Sequence, residues 1–226
     1  MRPIGSDIPV HLPRLAPALA LAVGAALILS ACSSDWAQPH DVSVLGRPGA
    51  GFAPRVTPVP ESTVHPRAGS WDGVRPAPGY RVVLLTAGDD APAHAVADAV
   101  RSWAAAEHVD LRTVEAGGDH VSGIVRAIDQ HPDLIIGAGN DLVDALALVT
   151  ASHLDQQFLI VGAEVAEPTE NVTAVDWTGA SYRGEGLGMA STFDPASFTA
   201  ARCGAGVRAG VTAVLTGLTG IVLWIR

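Results

Sequence analysis

Thirteen residues, Pro132 to Asp144, constrain the fold of this chain more than any other stretch. Leu134-Ile135-Ile136 is a short apolar run that stops at Gly137 and Gly139, and an amphipathic segment then opens on Asn140 with Leu142, Ala145, Leu146 and Val149 at helical spacing. The pattern predicts a buried strand turning into a helix. A strand without polar alternation is covered on both faces, and such strands belong to parallel sheets with helices above and below. The turn that follows is where such sheets hold ligands.

The same unit repeats on both sides of this stretch. Arg81 to Thr86 is a strand-like run that stops at Gly88-Asp89-Asp90, and Pro92 starts a helix with Val96, Val100, Trp103 and Ala104 on one face. Val109 to Val114 predicts a second strand. Val121, Ile124, Val125 and Ile128 predict a second helix, and Asp133 to Gly137 a third strand. A helix over 140–152 precedes two further strands, Gln157 to Val161 and Val172 to Asp176. This order predicts an α/β fold: a doubly wound, mostly parallel sheet with right-handed crossovers and helices on both faces.

The last fifty residues are less regular. Thr178 can cap a short helix through Tyr182, Leu187 and Met189. Asp194-Pro195 can start another that carries Val207, Val211, Val214, Leu215 and Leu218 on one face. After Gly217 and Gly220, Ile221 to Ile225 predicts a sixth strand. The uncharged run Ala209 to Ile225 has a competing reading as a membrane span, but it is short and carries its own glycine punctuation.

The chain has 226 residues, 48% of them hydrophobic, enough for one substantial core. The net charge is -9, and the 14 basic residues, all arginine, form no cluster, which removes the electrostatic footprint a nucleic-acid partner requires. Arg2 and Arg14 precede an uncharged Ala/Leu-rich run from Leu15 to Leu29, the anatomy of a secretory signal. Leu29-Ser30-Ala31-Cys32 resembles the lipobox of bacterial lipoproteins, which implies cleavage before Cys32, lipid modification of that cysteine, and an exported protein held at the cell membrane facing away from the cytoplasm. Residues 32–79, rich in Pro and Gly, read as an extended tether before a body at 80–226. Trp36, Phe52 and Trp71 are exceptions that either dock on the body or stand exposed.

At the predicted strand ends lie Asp89 and Asp90, then Gly139, Asn140 and Asp141, then Asp176 and Trp177. In an open α/β sheet these loops gather on one edge, where acids suit hydroxyl and amine donors and an indole can stack on a flat ring. Asp90 and Asn140 read equally well as helix caps. No His-x-x-x-His or Cys-x-x-Cys spacing points to a metal, and no Gly-x-Ser-x-Gly elbow points to a hydrolase. Gly204-x-Gly206-x-x-Ala209 lies inside a helix pattern, away from the strand end a dinucleotide fingerprint needs. Neither catalysis nor a cofactor is expected. Cys203, among small residues on a helix, reads as a buried thiol.

From Tyr80 to Ala190 the alternation resembles the basic membrane protein family of ABC-transporter substrate-binding lipoproteins. The resemblance rests on Asp89-Asp90, Pro132 to Gly137 with Asp144 to Ala147 behind it, Phe158 to Val161, and Asn171 to Val175. It implies one lobe of a type I periplasmic-binding-protein fold, a nucleoside or similar small solute as ligand, and a transporter permease as partner. Where that family has a Glu-Gly-Ser-Tyr-Leu-Ala-Gly helix start, this chain has Gly179 to Gly186, and only one of the two lobes fits. The alternative is a non-catalytic envelope scaffold whose lobe binds a protein partner or a second copy of itself. The anchor is tested directly: several acyl chains hold a protein firmly where one binds marginally. Replacing Cys32 with Ser should move the protein from the membrane fraction to the soluble fraction on centrifugation; continued pelleting would exclude the lipid anchor.

Overall fold

Val82, Val83, Leu84 and Leu85 are all fully buried, so the strand that carries them has apolar neighbours on both faces. The computed structural model describes residues 36, 38–40, 42–180 and 182–226, and the signal segment and Cys32 lie outside the described residues. The elements in chain order are β1 (Val44–Gly46), β2 (Thr63–Val64), β3 (Val74–Pro76), β4 (Arg81–Thr86), α1 (Ala91–Ala106), β5 (Asp110–Glu115), α2 (His120–Ile128), β6 (Leu134–Ala138), α3 (Val143–Thr150), β7 (Phe158–Val161), β8 (Val172–Asp176), α4 (Ala200–Leu215) and β9 (Val222–Trp224).

Seven strands form one sheet in the order β2-β9-β8-β7-β6-β4-β5, and every pairing in it is parallel. Successive strand residues face opposite sides. Val82, Leu84, Leu134, Ile136 and Leu159 therefore meet the face covered by α1 and α4, while Val83, Leu85, Ile135, Phe158 and Ile160 meet the face covered by α2 and α3. The expected α/β architecture is present. Helix α4 comes close to β7 and β8 because Gly210 has no side chain; a Cβ there would collide with Leu159 and stand 2.9 Å from Val175 Cγ2.

Two expectations change, and the helix-then-strand reading of the C-terminal run holds. The helix from Asn140 begins as a 3-10 turn, Asn140–Leu142, and becomes α3 at Val143. No helix forms at residues 178–180 or 182–193, and Asp194-Pro195 opens only a 3-10 turn at Pro195–Ser197; Thr199 caps α4, its side chain accepting from Arg202 N. The uncharged C-terminal run divides between α4 and β9, and among the described residues no helix is long and apolar enough to cross a membrane.

The larger correction concerns the tether. Residues 42–79 are laid on the body: β1 pairs with β3, and β2 adds a seventh strand beside β9 where six were expected. Trp36, Phe52 and Trp71 are 3%, 1% and 5% exposed, so all three aromatics dock. Thr212 Oγ1 on α4 donates to Trp71 O at 3.3 Å. At the opposite, N-terminal edge of the sheet, Arg81 donates to the carbonyls of Trp36 (2.9 Å) and Gln38 (2.8 Å). The Trp36 indole donates to Asp110 Oδ2 at 2.8 Å and lies under the Arg112 guanidinium, 3.9 Å from the ring centre. Pro/Gly composition misled here because a few anchored aromatics can order a long segment that has no periodicity of its own.

This docking has a measurable consequence. Truncating a buried Phe typically costs about 3 to 5 kcal/mol. Phe52→Ala should lower the unfolding free energy by that order in chemical denaturation, whereas a free tether would leave the midpoint unchanged.

Candidate functional site

In chain order the first helix-linked strand, β4, has its successor β5 on one side and β6 on the other. The winding reverses between β4 and β6, and the crevice of an open α/β sheet forms outside the C-terminal ends of strands at such a reversal. The loop after β4 carries Asp89 and Asp90; the loop after β6 carries Gly139, Asn140 and Asp141. Topology thus brings these five expected residues together.

The approach is close. Gly139, at φ 118°, passes Ala87 so tightly that a Cβ would stand 2.6 Å from Ala87 O, a contact no other residue could make. Beside it, Asp141 Oδ2 lies 2.9 Å and Asp90 Oδ2 3.8 Å from the point where a Cβ on Gly88 would stand, so two carboxylates converge on one bare glycine. Asp90 also caps α1, its Oδ1 accepting from Ala93 N at 2.7 Å, which leaves the other oxygen toward Asp141. Asp89, Asp90 and Asp141 are exposed, and Gly139 and Asn140 are half-buried. Gly139, rather than Asn140, occupies the cap position of the 3-10 turn, and it makes no side-chain cap bond.

Asp176 and Trp177 belong elsewhere. Asp176 is fully buried, with Oδ1 accepting from Trp177 N at 2.7 Å. Trp177 is 1% exposed, its Nε1 donating to Ser197 Oγ at 3.0 Å and its ring meeting Phe198 edge-on at 5.0 Å. The indole expected to stack on a ligand instead packs under α4, because the chain turns inward after β8. Cys203 is fully buried, and burial raises its thiol to about 11, which suits a packing role.

Sequence reasoning left the role of Tyr182 open and assigned none to Asp144, Glu164 and Arg183. After β7, Ala163 makes a parallel bridge to Tyr182, and Glu164 N donates to Tyr182 O at 2.8 Å, which lays the 182–185 segment along the sheet edge. Asp144 Oδ1 accepts from Glu185 N at 3.1 Å, and Tyr182 bonds the same carboxylate. The Tyr182 phenol is held above its ordinary value by burial first, then by the negative charge of Asp144, Glu185 and Asp141, so it stays a neutral donor. No helical or strand period marks these residues; only the bridge to Ala163, just past β7, places them.

Arg183 Nε stands 3.2 Å from Glu164 Oε1, an ion pair rather than a well-aligned hydrogen bond. Glu164 is 8% exposed, and its carboxyl is raised above the ordinary 4.5 by burial, with Asp176 adding to the rise and Arg183 opposing it. A raised carboxyl gives the folded state the higher proton affinity, so stability is full below the ordinary value and falls as pH rises through the shifted one. Glu164→Gln should therefore raise the thermal midpoint at pH 7, with the gain shrinking toward pH 4. Arg183, half exposed, can be solvated in the variant. An equal midpoint shift at both pH values would disprove this account.

No protein-family model matches the chain, and no curated protein does. Among solved structures, an ABC transporter solute-binding protein from Conexibacter woesei DSM 14684 is 16% identical with a TM-score of 0.35, over 43% of this chain and 35% of that one. A second, from Aeropyrum pernix K1, is 18% identical with a TM-score of 0.38, over 43% and 28%. A fragment described as a lipoprotein from Peptoclostridium difficile 630 is 18% identical with a TM-score of 0.43, over 62% of this chain and 99% of that one. The chain spans about a third of the length of the two solute-binding proteins.

Proposed function

We propose that this protein is an exported, lipid-anchored and non-catalytic binding protein that takes a small hydroxyl- or amine-bearing solute at the β4/β6 crevice. The observation that carries this reading is the convergence of Asp90 and Asp141 on Gly88 at the point where the sheet reverses its winding. Ionised carboxylates only accept hydrogen bonds, so the matching solute donates them. Within a nucleoside the ribose hydroxyls meet that requirement. With Trp177 in the core, half-buried Tyr182 is the aromatic beside these acids, its phenol proton donated to Asp144 and its oxygen left as an acceptor.

The scaffold alternative has one observation in its favour. Leu187 and Met189 stand 50% and 47% exposed on the loop that follows Tyr182, where a protein partner, a permease included, or a second copy would find apolar contacts. The strand-end edge itself presents carboxylates, which favours the solute. Asp141 caps no helix, so Asp141→Asn leaves the helix starts intact. A hydrogen bond to a charged acceptor contributes about 1.5 to 3 kcal/mol, so this variant should weaken solute binding about tenfold or more in calorimetry with an unchanged thermal midpoint. Flat titrations of the folded protein against nucleosides, sugars and amino acids would sink the solute reading and favour the scaffold.

A further inference from the structure

Very little chain separates the expected lipid anchor from the folded body. Cys32 stands four positions before Trp36, and Trp36 already belongs to the body, 3% exposed. The segment from Trp36 to His40 is clamped in three places. Trp36 Nε1 donates to Asp110 Oδ2 at 2.8 Å, Arg81 donates to the carbonyls of Trp36 and Gln38 at 2.9 and 2.8 Å, and His40 Nε2 stands 2.9 Å from Asp133 Oδ2. Arg81 is 8% exposed, so opening this clamp would strip a buried cation of its acceptors.

All three clamps lie at one end of the sheet. Arg81 is the first residue of β4, Asp110 the first of β5, and Asp133 immediately precedes β6. The acid-lined crevice is at the other end, beyond Thr86 and Ala138. Strand β4 is six residues long, which makes the sheet about 20 Å high there. Four extended residues span about 14 Å at most. A chain fixed to lipid at Cys32 therefore cannot turn its strand-end edge to the bilayer, because that would lift Trp36 about 20 Å from the surface that holds it.

We infer that the N-terminal edge of the sheet is a bilayer-facing surface, held within about 14 Å of the lipid headgroups, and that the β4/β6 crevice opens away from the membrane. The inference rests on the lipid-anchor reading and adds a fixed orientation to it. Leu154, 52% exposed in the turn between α3 and β7, lies at that same edge and offers the interface an apolar side chain. Asp89, Asp90, Asp141 and Asp144 are carried to the aqueous side. A membrane-embedded partner then meets the clamped edge, and the crevice serves what arrives from solution.

The test uses the lipid-modified full chain in phosphatidylcholine vesicles that contain a lipid with a nitroxide on its headgroup, a short-range quencher of fluorescence. Reporters are placed at the two ends of α2: Asp129→Cys at the clamped edge and Gly118→Cys at the strand-end edge. Both positions are exposed, and a Cβ at Gly118 meets open space. Each variant carries the same thiol-linked fluorophore, and Cys203 is fully buried away from the reagent. The nine residues of α2 set the two ends about 14 Å apart, so the label of Asp129→Cys should be quenched about twofold or more strongly than that of Gly118→Cys. Inserting about twenty Gly/Ser residues after Ser34 lengthens the leash to about 25 Å on average and should equalise the two. Protein that fails to float with the vesicles would overturn the anchor reading and this inference together. Protein that floats with equal quenching at the two ends, or with stronger quenching at position 118, would overturn the orientation alone.

Discussion

The parallel pairing of β4 with β6 is the contact on which the rest of the structure depends. It runs from Val82 opposite Leu134 to Thr86 opposite Ala138, and Leu84 and Ile136 at its centre are fully buried. Burying one such side chain contributes about 1.5 to 3 kcal/mol, and ordering its backbone costs about 1 to 2. A strand covered on one face would barely hold. Two covered faces tip the balance, which is why helices are needed on both sides and why α1 and α4 gather on one, α2 and α3 on the other. The pairing also shapes the strand-end edge, because adjacent C-terminal ends force the loops after β4 and β6 together at Ala87 and Gly139.

Charge in the molecule is sorted by place. The strand-end edge gathers Asp89, Asp90, Asp141 and Asp144, with Glu164 and Asp176 buried behind them and Arg183 as the nearby counter-charge. The opposite edge uses its charges internally, Arg81 and Asp133 holding the chain at Trp36, Gln38 and His40. The overall negative charge therefore says little about any one surface, since a local field is set by the nearest few groups and screened over about 10 Å.

Much of the fold was legible because period and punctuation are local. Leu134-Ile135-Ile136 before Gly137, Pro92 after Asp90, and Val172 to Asp176 each announce an element from their own neighbours, and each forms close to its expected bounds. The loops holding Asp89, Asp90, Gly139, Asn140 and Asp141 follow from the strand ends, so their place on one edge was legible too. Trp177 was misread because a residue one step past a strand end is free to turn in or out. Phe198 and Ser197, twenty residues on, decide that it turns in.

By itself, then, the sequence determined the alternating β/α order, the parallel sheet and the strand-end loops, since these follow from side-chain periodicity and from residues that stop or start elements within a few positions. Tertiary structure alone decided that β2 joins β9, that Tyr182 bridges Ala163 just past β7, that Trp71 and Arg67 wall a cavity with Trp224, and that two carboxylates meet at Gly88. Each of these pairs residues distant in the chain, and the energy that selects them comes from burial and hydrogen bonding across the folded body, which no local pattern encodes.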